Sequence, residues 1–217
     1  KKILKYALKS YTTHFLLIEN NKVIISIKPK NIHFSNKLIE TFSITKSIIG
    51  IAYILLLQDG KIQSLNQKVS EFIKEWKYDN RKFISIKQIL LHNSNLENNW
   101  NFHKFSGIDK FGKRTRKYKI NVRELSKQIS LRTKNLKKWE YNNTASQILI
   151  TLFKLITNED IEPYLKRKFF RPLKIRYQWK KDIYNNFFGP FGFETNISGL
   201  YKIGKLLTNR GYWKKVK

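Results

Sequence analysis

Two short apolar runs lie near the start of the chain. "HFLLIENNKVIISIKP" (14–29) holds two β-rich segments joined at Asn20, Asn21 and Lys22. Asparagine tolerates the positive φ that a tight turn needs, so the pattern predicts a β-hairpin and a protein that opens with strands. The pattern then changes. Residues 43–58 are mostly apolar and end at "QDGK", where Gly60 can stop a helix in the left-handed conformation, which predicts a largely buried helix. Further helices are predicted at 66–75, 85–92, 121–130, 144–157 and 159–169, with another at 196–209 ahead of "NRG". Strands followed by many helices point to an α+β arrangement. Neither an internal repeat nor a low-complexity linker interrupts the sequence, so one domain over 1–217 is the default.

Composition narrows the chemistry. At 217 residues, 41% of them hydrophobic, the chain can bury a sizeable core, which argues against disorder. It has no cysteine, which excludes disulfides, thiolate metal sites and a cysteine nucleophile and leaves the compartment open. His14, His33, His92 and His103 show no H-E-x-x-H or similar spacing, and no glycine-rich phosphate loop is present, so neither a metal nor a cofactor is expected. The absence of methionine suggests a processed product or a fragment. "KKILKYALKS" lacks the apolar core of a secretory signal, and the longest apolar run, "IIGIAYILLL", is about half of what a bilayer crossing needs. A soluble or peripherally attached protein is the expectation.

Charge adds a question about partners. Lys and Arg number 44 against 15 Asp and Glu, a net charge of +29 that would concentrate anionic lipid, nucleic acid or acidic cell-wall polymers. A compositional bias toward Lys, Ile and Asn is the plainer source of this charge. The densest stretch, "KFGKRTRKYK" (110–119), carries Phe111 and Tyr118. It reads either as an aromatic and basic nucleic-acid surface or, more simply, as a solvated loop, and nucleic acid is not expected as the partner.

One spacing carries candidate chemistry. In "ETFSITKSIIGIAYILLLQDGK" (40–61), Ser43 and Lys46 stand three residues apart at a predicted helix start. Such a serine meets the positive end of the helix dipole, and the lysine comes round one turn onto the same face. A partly buried lysine can lose its proton and activate the serine. In a lysine-rich chain the same letters also fit a plain cap, with Ser43 or Thr41 closing the helix start and Lys46 in solvent.

The surrounding text resembles the serine hydrolases related to class C β-lactamases and penicillin-binding proteins. In that family a phrase like "F-x-x-x-S-x-T-K-S" leads through "E-G-K-L-x-L-D-D-x-V-x-x-Y-L-P" to "T-I-R-x-L-L-x-H-T-S-G-L". Here "DGKIQSLNQKVSEFI" and "SIKQILLHNSNL" keep that order and spacing, with Asn95 in place of the usual glycine. "LENNW" is similar to the branch that holds esterases and 6-aminohexanoate-dimer hydrolases. The family's Y-x-N motif has three candidates, at Tyr78, Tyr141 and Tyr184. "LKKWEYNNTASQILITLFKLIT" matches "P-G-x-x-F-x-Y-S-N" before an apolar helix, which selects Tyr141 and Asn143. His92 falls where family members also carry His, and packing or capping is its expected role. "FFRPLKI" is similar to the family's "x-F-x-P-L-G-M". "GPFGFETNISGLYKIGKLLTNRGYWKKVK" resembles the family's segment after it, with Ile197, Ser198 and Gly199 where Ala-Arg-Asp is common, which implies a lost salt bridge at that helix start.

This resemblance implies a β-lactamase/transpeptidase-like α+β fold, an antiparallel sheet flanked by helices with a helical lobe at about 62–140. It implies Ser43 as nucleophile, Lys46 as general base, Tyr141 as proton shuttle and Asn143 holding the lysine and the substrate carbonyl. The substrate would be a small molecule or peptide: a β-lactam, a D-Ala peptide or a short ester. It also suggests the periplasm or cell envelope, with the cytoplasm still open. Nothing after Asn143 matches the family's third motif, so C-terminal strands are expected to be missing, from a truncated or decaying copy. Because that strand's neighbour supplies one of two oxyanion donors in the family, weak or absent activity is expected. The alternative is a noncatalytic basic protein of the same fold that binds anionic polymers.

Overall fold

The structure is a computed structural model that describes residues 2–10, 12, 14–20, 22–27, 37–98, 122–132 and 139–213. The basic stretch 110–119, His33 and His103 lie outside the described residues. Helix α1 (Lys2–Lys9) precedes strands β1 (Phe15–Glu19) and β2 (Lys22–Ile27), and β3 (Ile39–Glu40) runs into a 3-10 turn at Phe42–Ile44. Then come α2 (Thr45–Gln58), three 3-10 turns at Val69–Glu71, Lys74–Tyr78 and Asn80–Phe83, and the helices α3 (Ile86–Leu90), α4 (Val122–Lys127) and α5 (Asn143–Thr157). The chain ends with α6 (Ile161–Leu165), a π turn at Lys166–Phe170, β4 (Tyr177–Trp179), β5 (Phe193–Thr195) and α7 (Ile197–Thr208). Strands and helices thus make the expected α+β content. No helix among the described residues is long and apolar enough to cross a membrane.

Packing divides the chain into two compact units. The first comprises Lys1–Glu40, Phe169–Gln178 and Glu194–Lys217. Here β1 and β2 pair antiparallel, with a register shift between Leu17 and Ile18, and Asn20 turns the hairpin at φ 48° as the sequence predicts. A second sheet has the order β3-β5-β4, with Ile39 opposite Thr195. Phe170 stacks on Tyr177 at 3.9 Å, and the Asn196 side chain caps α7 by accepting from the Gly199 N–H at 2.9 Å.

The second unit, Thr41–Lys168 with Trp179–Phe193, is built on α2 and α5. Ile48, Ile49, Ala52, Tyr53 and Leu56 are fully buried on α2, and α5 is buried from Thr144 through Phe153. Helix α2 is apolar on most faces, so it lacks a clean polar stripe even though Ile54 on its outer face is half exposed. Tyr53 sits edge-on to Phe153 and sends its hydroxyl to the Leu149 carbonyl at 2.8 Å, so the one polar atom of this ring is satisfied inside the core.

Three elements differ from their sequence expectation. Helix α1 stands ahead of the hairpin; its basic residues Lys2, Lys5 and Lys9 recur at helical spacing, and Ala7 is buried. The helix predicted at 66–75 is a series of 3-10 turns. Val69, Ile73 and Trp76 are buried at the spacing a helix would give, but the Val69 N–H goes to the Ile84 carbonyl and Ile73 takes an extended backbone. Bonding to the neighbouring segment thus replaces the helical ladder. The helix predicted at 159–169 tightens into α6 and then widens into the π turn, where Phe169 and Phe170 are buried side by side.

The end of α2 follows the sequence closely. The Gly60 N–H bonds to the Leu57 carbonyl and the Lys61 N–H to the Leu56 carbonyl, a Schellman closure with Gly60 at φ 65°. Gly50, by contrast, lies inside α2 with open space where a Cβ would go. The two glycines therefore respond oppositely to alanine. Gly60→Ala should destabilise by about 1 kcal/mol and Gly50→Ala should stabilise by about 0.5–1 kcal/mol, read as shifts of the denaturant midpoint at unchanged slope.

Candidate active site

The site lies within the second unit, and its first part is the turn that leads into α2. Phe42 takes φ 47°, a left-handed conformation that is costly for a bulky residue. Local hydrogen bonds hold it. Thr41 bonds the Phe193 carbonyl through both its N–H (2.9 Å) and its hydroxyl (2.7 Å). The buried Thr45 hydroxyl donates to the Phe42 carbonyl at 2.6 Å and accepts from the Phe193 N–H at 3.2 Å. Neither Thr41 nor Ser43 caps the helix with its side chain. The hydroxyl of Ser43 is left for other partners, and its N–H, near the start of the turn, has no intrahelical acceptor.

Those partners are Tyr141 and Lys46. The Ser43 and Tyr141 hydroxyls share a hydrogen bond, and Lys46 Nζ lies 3.2 Å from Ser43 Oγ. Lys46 Nζ also donates to the Pro190 carbonyl at 2.7 Å and stands 4.8 Å from the Tyr141 ring centre. Burial lowers the Lys46 pKa below the ordinary lysine range, against the opposing pull of Tyr141. For Tyr141 burial pushes upward, yet hydrogen bonds from Lys46 and Ser43 and the charge of Lys46 outweigh it and bring the phenol below its usual value. The lysine is thereby made easier to deprotonate, and so is the tyrosine.

The Pro190 carbonyl is placed by α5. Gln147, buried on that helix, donates to the Phe187 carbonyl at 3.0 Å and accepts from the Gly189 N–H at 2.9 Å. Gly189 passes so close to the Ser146 carbonyl that a Cβ there would overlap it. Only glycine lets the loop approach this far.

Tyr141 is placed by the start of α5 and by His92. Asn142, buried, caps the helix through its Oδ1 to the Ala145 N–H at 2.9 Å and donates Nδ2 to the Leu96 carbonyl at 2.8 Å. His92 stacks on the Tyr141 ring at 5.3 Å and 13°, and Trp139, largely exposed, lies 6.5 Å from both rings. Asn95, at φ 57°, takes the left-handed position expected of a glycine substitute.

The structure brings together Ser43, Lys46 and Tyr141 of the four residues singled out from sequence. Asn143 is the first residue of α5, and its N–H donates to Asn98 Oδ1 at 3.1 Å. Its side chain makes no hydrogen bond to Lys46 among the described residues; the Pro190 carbonyl fills that place. The Y-x-N reading stepped over Asn142, although an asparagine directly before an apolar helix is a recognisable cap. Asn98, which also donates to the Tyr141 carbonyl at 3.3 Å, and Pro190 carry no such local signal. Tyr78 is fully solvent-facing and Tyr184 sits in a turn after Asp182. No cluster of potential metal ligands occurs among the described residues.

Comparison with known proteins follows the same lines. The fold is similar to that of a protein described as a 6-aminohexanoate-dimer hydrolase from Bacillus anthracis, with a TM-score of 0.80 at 15% identity over 98% of this chain and 58% of that one. It is also similar to the D-amino acid amidase of Ochrobactrum anthropi (TM-score 0.66, 15% identity, 93% of this chain and 66% of that one). A class C β-lactamase of Rhodobacter sphaeroides superposes with a TM-score of 0.68 at 8% identity, over 99% of this chain and 67% of that one. The chain thus spans 58% of the length of the first of these relatives. No curated protein matches the sequence. The Beta-lactamase family matches residues 17–178, more than half of the chain. The protein belongs to the Beta-lactamase family.

Proposed function

We propose that this protein hydrolyses an amide or ester through an acyl-enzyme on Ser43, with Lys46 as general base and Tyr141 as proton shuttle. The observation that carries the reading is the contact of one hydroxyl, Ser43 Oγ, with both Lys46 Nζ and Tyr141 Oη. A neutral lysine keeps an N–H for the Pro190 carbonyl and turns its lone pair to Ser43. As Oγ attacks the substrate carbonyl, its proton passes to Lys46 and the carbonyl oxygen becomes an oxyanion that the Ser43 N–H can meet. Tyr141 then protonates the departing amine or alkoxide and is reprotonated by the Lys46 ammonium, which returns the lysine to its neutral form, and water deacylates the serine by the reverse proton path. Asn143, whose side chain makes no hydrogen bond to Lys46 among the described residues, would serve here as a donor to the substrate carbonyl. The open surroundings of Ser43 and the exposed Trp139 suit a small acyl group with an apolar portion, such as a β-lactam, a D-Ala peptide or a short ester.

A fluorophosphonate probe tests the nucleophile directly. Wild type should gain one adduct, mapped to Ser43 by peptide mass spectrometry, and Ser43→Ala should gain none. Lys46→Met should slow labelling by about 10²-fold or more. Labelling should already be fast below the ordinary lysine pKa, because burial places the Lys46 base form within reach there. An unlabelled wild type, beside a labelled relative, overturns the reading.

The coupling between Lys46 and Tyr141 has its own signature. Removing the ammonium leaves burial as the main influence on the phenol, so Lys46→Met should move the Tyr141 titration upward. Ultraviolet difference titration against Tyr141→Phe reads this shift, and a downward or absent shift contradicts the described coupling.

A further inference from the structure

His92 touches the site without touching Ser43. It closes α3 at φ 56°, and from there it holds the segment before α5 at three consecutive residues. Its carbonyl accepts the Glu140 N–H at 2.9 Å, its ring stacks on Tyr141, and its Nδ1 accepts the Asn142 N–H at 2.8 Å. A backbone N–H can only donate, so Nδ1 must be bare and the proton must sit on Nε2. An imidazolium donates from both nitrogens and would turn an N–H against the N–H of Asn142. The bond that positions Asn142, and through it the Tyr141 ring, therefore exists in one protonation state.

We propose that His92 is a positioning residue for Tyr141, holding the phenol against Ser43 as a neutral imidazole and releasing it when protonated. This rests on the Ser43 acyl-enzyme reading for its catalytic consequence, while the clamp itself is a matter of structure. Among the described residues, Lys46 of α2 and Tyr141 ahead of α5 are the titratable groups that face the ring. Glu140, whose N–H meets the His92 carbonyl, pairs its carboxylate with Arg132. Burial, and then the charge of Lys46, lower the His92 pKa below the ordinary histidine value, so the clamp is closed at neutral pH and opens only on the acid side. The sign is that of a base kept neutral by its surroundings: activity is retained above its folded-state pKa and lost as pH falls through it. Trp139, tilted against both rings, covers the stack from the side.

Nitrogen-15 NMR of the histidine side chains tests the clamp without any turnover, with the His92 signals assigned by their loss in His92→Asn. The expected result is the Nε2–H tautomer at neutral pH, a midpoint below about 6.5, and movement of the Tyr141 ring resonances with that same midpoint. An Nδ1–H tautomer, or Tyr141 signals that ignore the His92 titration, overturns the proposal. Fluorophosphonate labelling of Ser43 across pH supplies the second arm. Wild type should lose labelling on the acid side at the NMR midpoint. His92→Asn should lose that acid limb, because its Oδ1 falls near the Nδ1 position, accepts the same N–H, tolerates φ 56° and does not titrate. His92→Phe keeps a ring for stacking but leaves the Asn142 N–H unpaired, and should label on the order of tenfold more slowly at neutral pH with its circular dichroism unchanged. An acid limb unmoved in His92→Asn assigns it to Lys46 or Tyr141 and sinks the switch. If wild type never labels, the acyl-enzyme reading fails, and the NMR arm still decides whether His92 clamps Tyr141.

Discussion

The half-buried ammonium of Lys46 is the group around which the rest of the site is arranged. An amine taken out of water is costly unless partners meet it, and its charged form is disfavoured in proportion. One acceptor, the Pro190 carbonyl, is available to it in either protonation state, since both forms keep an N–H to give. A second, the Ser43 hydroxyl, is amphoteric and can stand on either end of the bond. The lysine is therefore satisfied whichever way its proton moves, and the carbonyl that makes this possible belongs to a loop that a buried glutamine and a glycine fix against α5. A carboxylate in place of that carbonyl would have raised the lysine pKa and held the ammonium charged.

Polar side chains of the second unit accordingly form a frame rather than a surface. Gln147 fixes the loop before Pro190, Thr45 ties the turn of Phe42 to Phe193, Asn142 caps α5 while gripping Leu96, and Asn98 bridges residues 141 and 143. Most of these bonds run from a side chain to the backbone of a distant segment, so each fixes a loop that has no ladder of its own. The bonds of Gln147, Thr45 and Asn142 also satisfy groups that burial would otherwise leave unpaired, and that requirement makes the arrangement specific.

The sequence made part of this visible. Periodicity and turn chemistry located α2, α5, α7 and the hairpin, because a long apolar helix with a glycine or asparagine at its end is locally encoded. Segment 66–75 differs because its apolar spacing is helical while the Val69 N–H goes to the Ile84 carbonyl and the carbonyls of Leu65 and Gln67 accept from the N–H groups of Lys87 and Ile86, and such competition is invisible in a linear pattern. Within the site, Ser43 and Lys46 were legible from spacing, and Tyr141 from the apolar helix that follows it. The choice between cap and catalytic pair was not, since it depends on whether the Ser43 hydroxyl meets a helix N–H or the side chains of Tyr141 and Lys46. Pro190 was out of reach for a stronger reason: it acts through its carbonyl, a group every residue has.

The turn at Phe42 shows what such a frame makes possible. A left-handed aromatic residue stores on the order of 1–3 kcal/mol and persists only where its surroundings over-determine it. Here four hydrogen bonds among Thr41, Phe42, Thr45 and Phe193 do so, and the result is a serine displaced from the regular helix start. In an ordinary N-terminus the hydroxyl at that position would fold back on the free N–H groups as a cap. With the backbone left-handed one residue earlier, the Ser43 hydroxyl instead meets Tyr141 and Lys46, and Phe42 is carried into solvent. The bonds that hold Phe42 left-handed therefore also fix the segment that carries Ser43, whose hydroxyl stands between Lys46 and Tyr141.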